Sequence, residues 1–197
     1  MKPLPYVFPY ALIFWAIFAW AFWPEFRIIR RAQQSVRHAD SPDAGSCRVI
    51  VLGMWIAFAA AFPLASVHGF QFPRSGGITV FAAGLIVLTA GSLLRRHCWR
   101  TLGSAFTGDV QARAGQRIVT SGAYTLLRHP SYTAGILMNA GVGLALGSWA
   151  SAALLIVSSV AVYSYRMAVE ELALLSAVGE PYREFMRTRK RLIPYVY

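Results

Sequence analysis

Charge is scarce in this sequence. Only 14% of its 197 residues are Asp, Glu, Lys or Arg, against roughly 25% in an ordinary water-soluble domain. With 56% hydrophobic residues and a positive mean hydropathy, this excludes a water-soluble globule, because a chain this short has too much surface for its volume. Lysine is rarer still: of 19 basic residues only Lys2 and Lys190 are lysines, and the arginines sit between long apolar runs. Nucleic-acid binders carry their basic charge on a polar face, so the net charge of +11 does not indicate nucleic acid. The two cysteines, Cys47 and Cys98, are far apart and form no C-x-x-C pair, so reduced thiols are expected. His38, His68, His97 and His129 show no metal-ligand spacing, and no metal site is expected. There is no internal repeat or low-complexity segment, so residues 1–197 are expected to form a single membrane domain, with no oligomeric state assigned.

What is abundant is apolar sequence in long runs. A helix needs about 20 such residues to cross a bilayer. The expected spans are 6–23, 49–67, 78–94, 132–146 and 149–165. The first competes with a signal-peptide reading, since Ala19-Trp20-Ala21 fits a small-x-small cleavage site; that triplet lies inside the apolar run, which is long and aromatic, so a helix is expected, ending at Pro24-Glu25. A polar connector follows to Arg48, turning at Ser41-Pro42-Asp43-Ala44-Gly45. Pro63 lies in the second span, where neighbouring helices can satisfy the freed carbonyl. Residues 95–130 are basic and glycine-punctuated, hence expected to be irregular, and the last two spans read as a hairpin closed by Gly147-Ser148. Small residues there, including the Gly143-x-x-x-Gly147 pair, suit close helix packing. The fourth span is short for a crossing.

Of the basic residues, 17 fall in the segments after spans one, three and five, and only Lys2 and Arg74 fall on the other side. The positive-inside rule then places the amino terminus outside and the carboxyl terminus in the cytoplasm, which an odd number of spans requires. In the tail, Pro181 suits a first helical turn, and Tyr182, Phe185 and Met186 share a face. This is the pattern of an interfacial amphipathic helix on the inner leaflet. The expected fold is therefore an all-α integral membrane protein of five transmembrane helices plus that C-terminal helix.

Every acidic residue also lies on the cytoplasmic side. Two polar groups stand out there. One runs from Val119 to Tyr124 and on through Arg128-His129-Pro130-Ser131-Tyr132. The other is Arg166-Met167-Ala168-Val169-Glu170-Glu171. Arg166 and Glu170, four apart, share a helix face. An ordinary helix-end ion pair explains them equally well, His129 before Pro130 fits a turn residue held extended, and Tyr124 and Tyr132 fit an interfacial aromatic belt. The residues by themselves give a polar, aromatic cluster facing the cytoplasm, and no reaction.

These two groups, with Gly179, Tyr182, Leu102-Gly103, Phe106 and Arg191-Leu192-Ile193-Pro194, resemble the isoprenylcysteine carboxyl methyltransferase family, which is grouped with phospholipid methyltransferases in a larger membrane superfamily. Residues 91–194 carry the likeness, and R-H-P-x-Y with a downstream R-x-x-x-E-E is its specific combination. The resemblance implies S-adenosylmethionine-dependent methyl transfer to a lipid-borne or prenylated acceptor at the cytoplasmic face. It implies cofactor contacts at Gln116, Arg117, Ile118, Val119, Tyr124, His129, Pro130, Ser131, Tyr132 and Glu170, with Gln111 joining them, from cytoplasmic segments 95–131 and 166–197. Gln116 stands where the family has a histidine and Arg117 where it has an apolar residue, so backbone contacts carry over there more securely than side-chain ones. Arg166 matches the family's substrate-side arginine, giving Arg166 and Glu170 as the catalytic pair. A carboxylate acceptor is already a nucleophile and suits a bidentate arginine; a phospholipid amine needs a base, which would be Glu170 or Glu171. Two further readings remain open: a nicotinamide-dependent membrane reductase, although Gly141-x-Gly143-x-x-x-Gly147 is not a dinucleotide fingerprint, and a non-enzymatic membrane scaffold, which binds no cofactor.

Overall fold

In a bilayer every backbone N–H and C=O must be bonded within the protein, which leaves helices as the economical solution for apolar runs of this length. The structure is a computed structural model that describes residues 2–35, 45–103 and 118–194, all but the side chains of 29–35 and 74. Its helices are α1 (Tyr10–Ser35), α2 (Ser46–Leu64), α3 (Gly77–Leu102), α4 (Pro130–Ala145), α5 (Trp149–Val178) and α6 (Glu180–Thr188). There are short 3-10 turns at Leu4–Tyr6, Arg74–Gly76 and Gly122–Thr125. Among the described residues four helices are long and apolar enough to cross a membrane, over Tyr10–Ile28, Ser46–Leu64, Gly77–Leu102 and Trp149–Val178. Leu52, Ile56, Ile78, Ile86 and Val157 lie exposed along them, as lipid-facing side chains must. The chain is an all-helical integral membrane protein.

Helix α4 is the exception in length. Its 16 residues rise about 24 Å at 1.5 Å each, short of a hydrocarbon core of roughly 30 Å. It is also the most enclosed helix, with Ala134, Met138, Asn139 and Val142 buried, so protein rather than lipid surrounds much of it. Glycine allows that enclosure. A Cβ on Gly84 of α3 would run into the backbone of Ala145 and Gly141, and one on Gly141 into the backbone of Leu88. On the other face of α4 a Cβ on Gly143 would strike the backbone of Ala152 in α5. Small residues thus let three backbones approach closely. Gly147 has a different task from the packing role expected for it: nothing lies within 4 Å of its Cβ position, and its φ of 71° turns the α4–α5 hairpin.

Helices α1, α3 and α5 run further than hydropathy indicated. α1 passes through Pro24 instead of ending there. Proline cannot bond the carbonyl four residues back; here that carbonyl, Trp20 O, accepts from the Arg96 guanidinium. Ser92 Oγ donates to the neighbouring Ala21 O at 3.2 Å, so α3 repairs α1 where proline interrupts it. α3 continues to Leu102 through basic residues expected to be irregular. At 30 residues, α5 is about 45 Å long and projects past the bilayer core. Its start is capped by Ser148, whose Oγ accepts from Ser151 N at 3.2 Å.

At the hairpin end of the bundle, Phe72 N donates to Gly147 O and Trp149 N to Phe70 O, both at 3.0 Å, clipping the α2–α3 loop to the hairpin. Phe14, Phe18, Phe22, Phe58 and Phe62 pack ring on ring between α1 and α2. Ser151 Oγ reaches Ala61 O at 2.8 Å to tie α5 to α2. The charged groups gather at the opposite end.

Candidate active site

The end of the bundle away from the hairpin is built from five elements. Projecting α5 presents Arg166, Glu170 and Glu171. The segment entering α4 presents Tyr124 and His129, and the first turn of α4 presents Ser131 and Tyr132. The C-terminal end of α3 presents Arg95, and the chain after α6 crosses over the whole. Pro130 fixes the entry: at the first position of α4 its missing N–H costs nothing, and it holds His129 outside the helical region at φ −126°, ψ 54°.

Tyr132 is the centre. Its hydroxyl donates to Glu170 Oε2 at 2.6 Å and feels the charge of the Arg166 guanidinium, so one phenol lies between the two α5 residues that share a face. Arg166 is only 5% exposed, and its Nη1 donates to Ser46 Oγ at 2.7 Å, at the first residue of α2. Glu170 keeps about a third of its side chain exposed. The rings of His129 and Tyr132 stack with centroids 5.5 Å apart, and Tyr132 stacks on Tyr163 at 5.0 Å. The result is a three-ring ladder from the charged end into the bundle. Tyr124 is buried beside Cys98 and Glu170, and burial pushes its phenol well above the ordinary tyrosine range.

Glu171 faces the other way. Its Oε1 stands 3.1 Å from His129 Nε2 and 3.0 Å from Arg128 Nη1, and its Oε2 accepts from Arg191 Nη2 at 2.6 Å. A carboxylate accepts only, so His129 donates to it through Nε2, and Nδ1, 4.0 Å from Glu170 Oε2, lies on the Glu170 side. The chain after α6 completes the ring of contacts. Arg128 N donates to Lys190 O at 2.8 Å, His129 N to Arg191 O at 3.1 Å, and Thr133 Oγ1 to Leu192 O at 2.7 Å. Tyr182 and Phe185 of helix α6 are buried in the protein; burial beside Glu171 and Glu170 raises the Tyr182 phenol.

Of the residues singled out from sequence, Tyr124, His129, Ser131, Tyr132, Arg166 and Glu170 converge on this end. Pro130 is buried beneath them. Ile118 and Val119 lie half-buried in the irregular lead-in to the Gly122–Thr125 turn. Gln111, Gln116 and Arg117 lie outside the described residues. Among the described residues no three His, Cys, Asp or Glu side chains group as a metal site would. Sequence reasoning missed Arg95, Glu25 and Ser46. Arg95 was legible only as one more positive charge at a helix end, and a lone serine opening a helix has no signal at all.

The fold and this end together define a membrane protein with a buried arginine, a partly exposed carboxylate and stacked aromatic faces at one rim of its bundle. The model of the isoprenylcysteine carboxyl methyltransferase (ICMT) family matches residues 83–176, which contain Tyr124, His129, Tyr132, Arg166, Glu170 and Glu171, and the chain resembles that family in both sequence and structure. Among named relatives, the protein-S-isoprenylcysteine O-methyltransferase of Rattus norvegicus is 27% identical over 151 residues, covering 75% of this chain and 51% of that protein. Its Xenopus laevis counterpart is 30% identical over 126 residues, covering 57% and 40%. A solved structure of the eukaryotic intramembrane Ras methyltransferase ICMT, without a monobody, superposes with a TM-score of 0.58 at 25% identity, covering 78% of this chain and 53% of that one. The chain spans about half the length of the relatives it matches.

Proposed function

We propose that this chain transfers a methyl group from S-adenosylmethionine to the carboxylate of an isoprenylcysteine-like, lipid-borne acceptor at the cytoplasmic membrane face. The observation that carries the reading is the Arg166–Tyr132–Glu170 contact, lying within the stretch matched by the ICMT family. The relatives are named for O-methylation of isoprenylcysteine, and their likeness supplies the acceptor class.

The residues present fit such a cofactor. Tyr132 and His129 offer aromatic faces, which attract a cation such as a sulfonium. Glu170, half-buried, offers an acceptor for ammonium or ribose hydroxyl groups. Glu170, Tyr124 and the His129–Tyr132 turn would hold it, together with Ile118, Val119 and the expected contacts at Gln111, Gln116 and Arg117. When bound, S-adenosylmethionine supplies an electrophilic methyl group, open to in-line displacement. The protein's work is then alignment and exclusion of water. Arg166, buried and already set by Ser46 and Tyr132, presents a planar fork suited to an acceptor carboxylate. No proton need be removed, since the carboxylate attacks as it stands.

An amine acceptor is disfavoured on two counts. A buried guanidinium repels an ammonium, and Glu171 is engaged by His129, Arg128 and Arg191, leaving Glu170 alone to act as base. The topology that accompanies this reading is five spans, counting α4, with the amino terminus outside, the carboxyl terminus inside, and α6 lying along the inner leaflet.

The test separates the two halves of the site. Arg166→Lys keeps the charge and loses the fork, so turnover should fall about ten- to a hundredfold, the equivalent of one charge-assisted bond, with S-adenosylhomocysteine affinity little changed. Glu170→Ala should weaken that affinity. Parallel loss of cofactor affinity and turnover in Arg166→Lys would move Arg166 to the cofactor side and end this assignment.

A further inference from the structure

Arg95 is a buried cation at the rim that the proposed chemistry does not use. It lies at the C-terminal end of α3, its side chain only 12% exposed, paired with Glu25 of α1, itself 17% exposed. The pairing is two-pronged: Arg95 Nε meets Glu25 Oε1, and Nη2 donates to Glu25 Oε2 at 2.9 Å. The remaining terminal nitrogen, Nη1, donates to the backbone carbonyl of Ser131 at 2.6 Å and lies 3.3 Å from its Oγ. Ser131 sits between His129 and Tyr132 in the first turn of α4, and the Arg95 charge acts on both Tyr132 and Tyr163. A guanidinium is a rigid planar fork. With two prongs fixed on Glu25, the direction of the third is fixed as well, and so is the carbonyl it holds.

We propose that Arg95 is a positioning residue for the methyl-donor side of the site, aimed by Glu25 and acting through the Ser131 carbonyl on the His129–Tyr132 turn. This rests on the methyl-transfer reading above. It gives α1, which lies outside the stretch matched by the ICMT family, a part in the site. It also accounts for a buried ion pair, whose desolvation makes it a poor source of stability by itself.

Two variants of the full chain in detergent decide it, read by S-adenosylhomocysteine calorimetry and amide hydrogen exchange. Arg95→Lys keeps the positive charge for Glu25 and loses the third prong. It should bind S-adenosylhomocysteine at least about tenfold more weakly, the scale of one charge-assisted bond, with faster exchange across residues 131–135. Glu25→Leu with Arg95→Met replaces the pair by apolar volume, which commonly preserves stability. It should melt like the wild type and still bind at least about tenfold more weakly. Wild-type affinity in either variant overturns the proposal, because a merely structural pair would be replaceable; if the double variant does not fold, Arg95→Lys decides. If the wild-type chain itself binds no S-adenosylhomocysteine, the methyl-donor reading fails, and unchanged exchange over residues 131–135 in Arg95→Lys overturns the proposal separately.

Discussion

Glu171→Gln is the perturbation with the clearest structural consequence. The substitution keeps the size and removes the charge from a side chain 4% exposed that accepts from His129, Arg128 and Arg191 at 3.1, 3.0 and 2.6 Å. The glutamine amide turns an NH2 toward at least one of these donors. Removing one partner of a buried ion pair costs about 3–5 kcal/mol, whereas a solvent-exposed pair is worth about 0–1 kcal/mol. Arg191 is 31% exposed and Arg128 12%, so the lower end applies, about 3 kcal/mol. For a chain of this size that lowers the melting midpoint by about 6–12 °C. Cys98 is fully buried, so its reaction with a thiol-reactive dye during heating, in a Cys47→Ser background, reports the transition. Because Arg191 also anchors the segment after α6, trypsin should cut at Lys190 and Arg191 faster in the variant. A midpoint within about 2 °C of wild type, with unchanged cleavage, would refute the idea that Glu171 ties this end together.

Other outcomes follow from the same structure. Gly141→Leu drives a side chain into the Leu88 backbone, so the variant should fail to reach a folded, monodisperse state in detergent, while Gly69→Ala, with open space at its Cβ position, should cost only its strained φ. Single cysteines at positions 2, 72 and 149, the last exposed in the structure, should label from outside and one at 197 only from the cytoplasm; labelling of position 149 from the cytoplasm alone would reverse the topology. His129→Ala removes a ring from the ladder and a donor from Glu171, and should weaken S-adenosylhomocysteine binding in calorimetry while the chain still inserts.

The helices were legible because a bilayer leaves an apolar run no other choice, and their ends were not. Hydropathy stopped α1 at Pro24 and α3 before Arg95, because a proline or a charge looks like a boundary when its partner is unseen. Arg96 on Trp20 O and Glu25 against Arg95 are partners some 70 residues away, and they let both helices continue. The Arg166–Glu170 face was readable from a spacing of four. The roles of Glu171 and of the final segment were not, since backbone pairing of Arg128 and His129 with Lys190 and Arg191 leaves no periodic trace. The Gly143-x-x-x-Gly147 pair was half legible: Gly143 packs, whereas Gly147, by its positive φ, turns the hairpin.

The central claim is that the methyl group arrives on a carboxylate. Purified protein in lipid vesicles, given S-adenosylmethionine labelled in its methyl group and an N-acylated S-prenylcysteine, tests it in one measurement, because a carboxyl methyl ester is cleaved by mild alkali and an N-methyl group is not. Label should enter the prenylcysteine and leave it as volatile methanol on treatment with alkali. Label that stays in the lipid fraction after alkali, whether the prenylcysteine or a phospholipid amine is present, would contradict the claim.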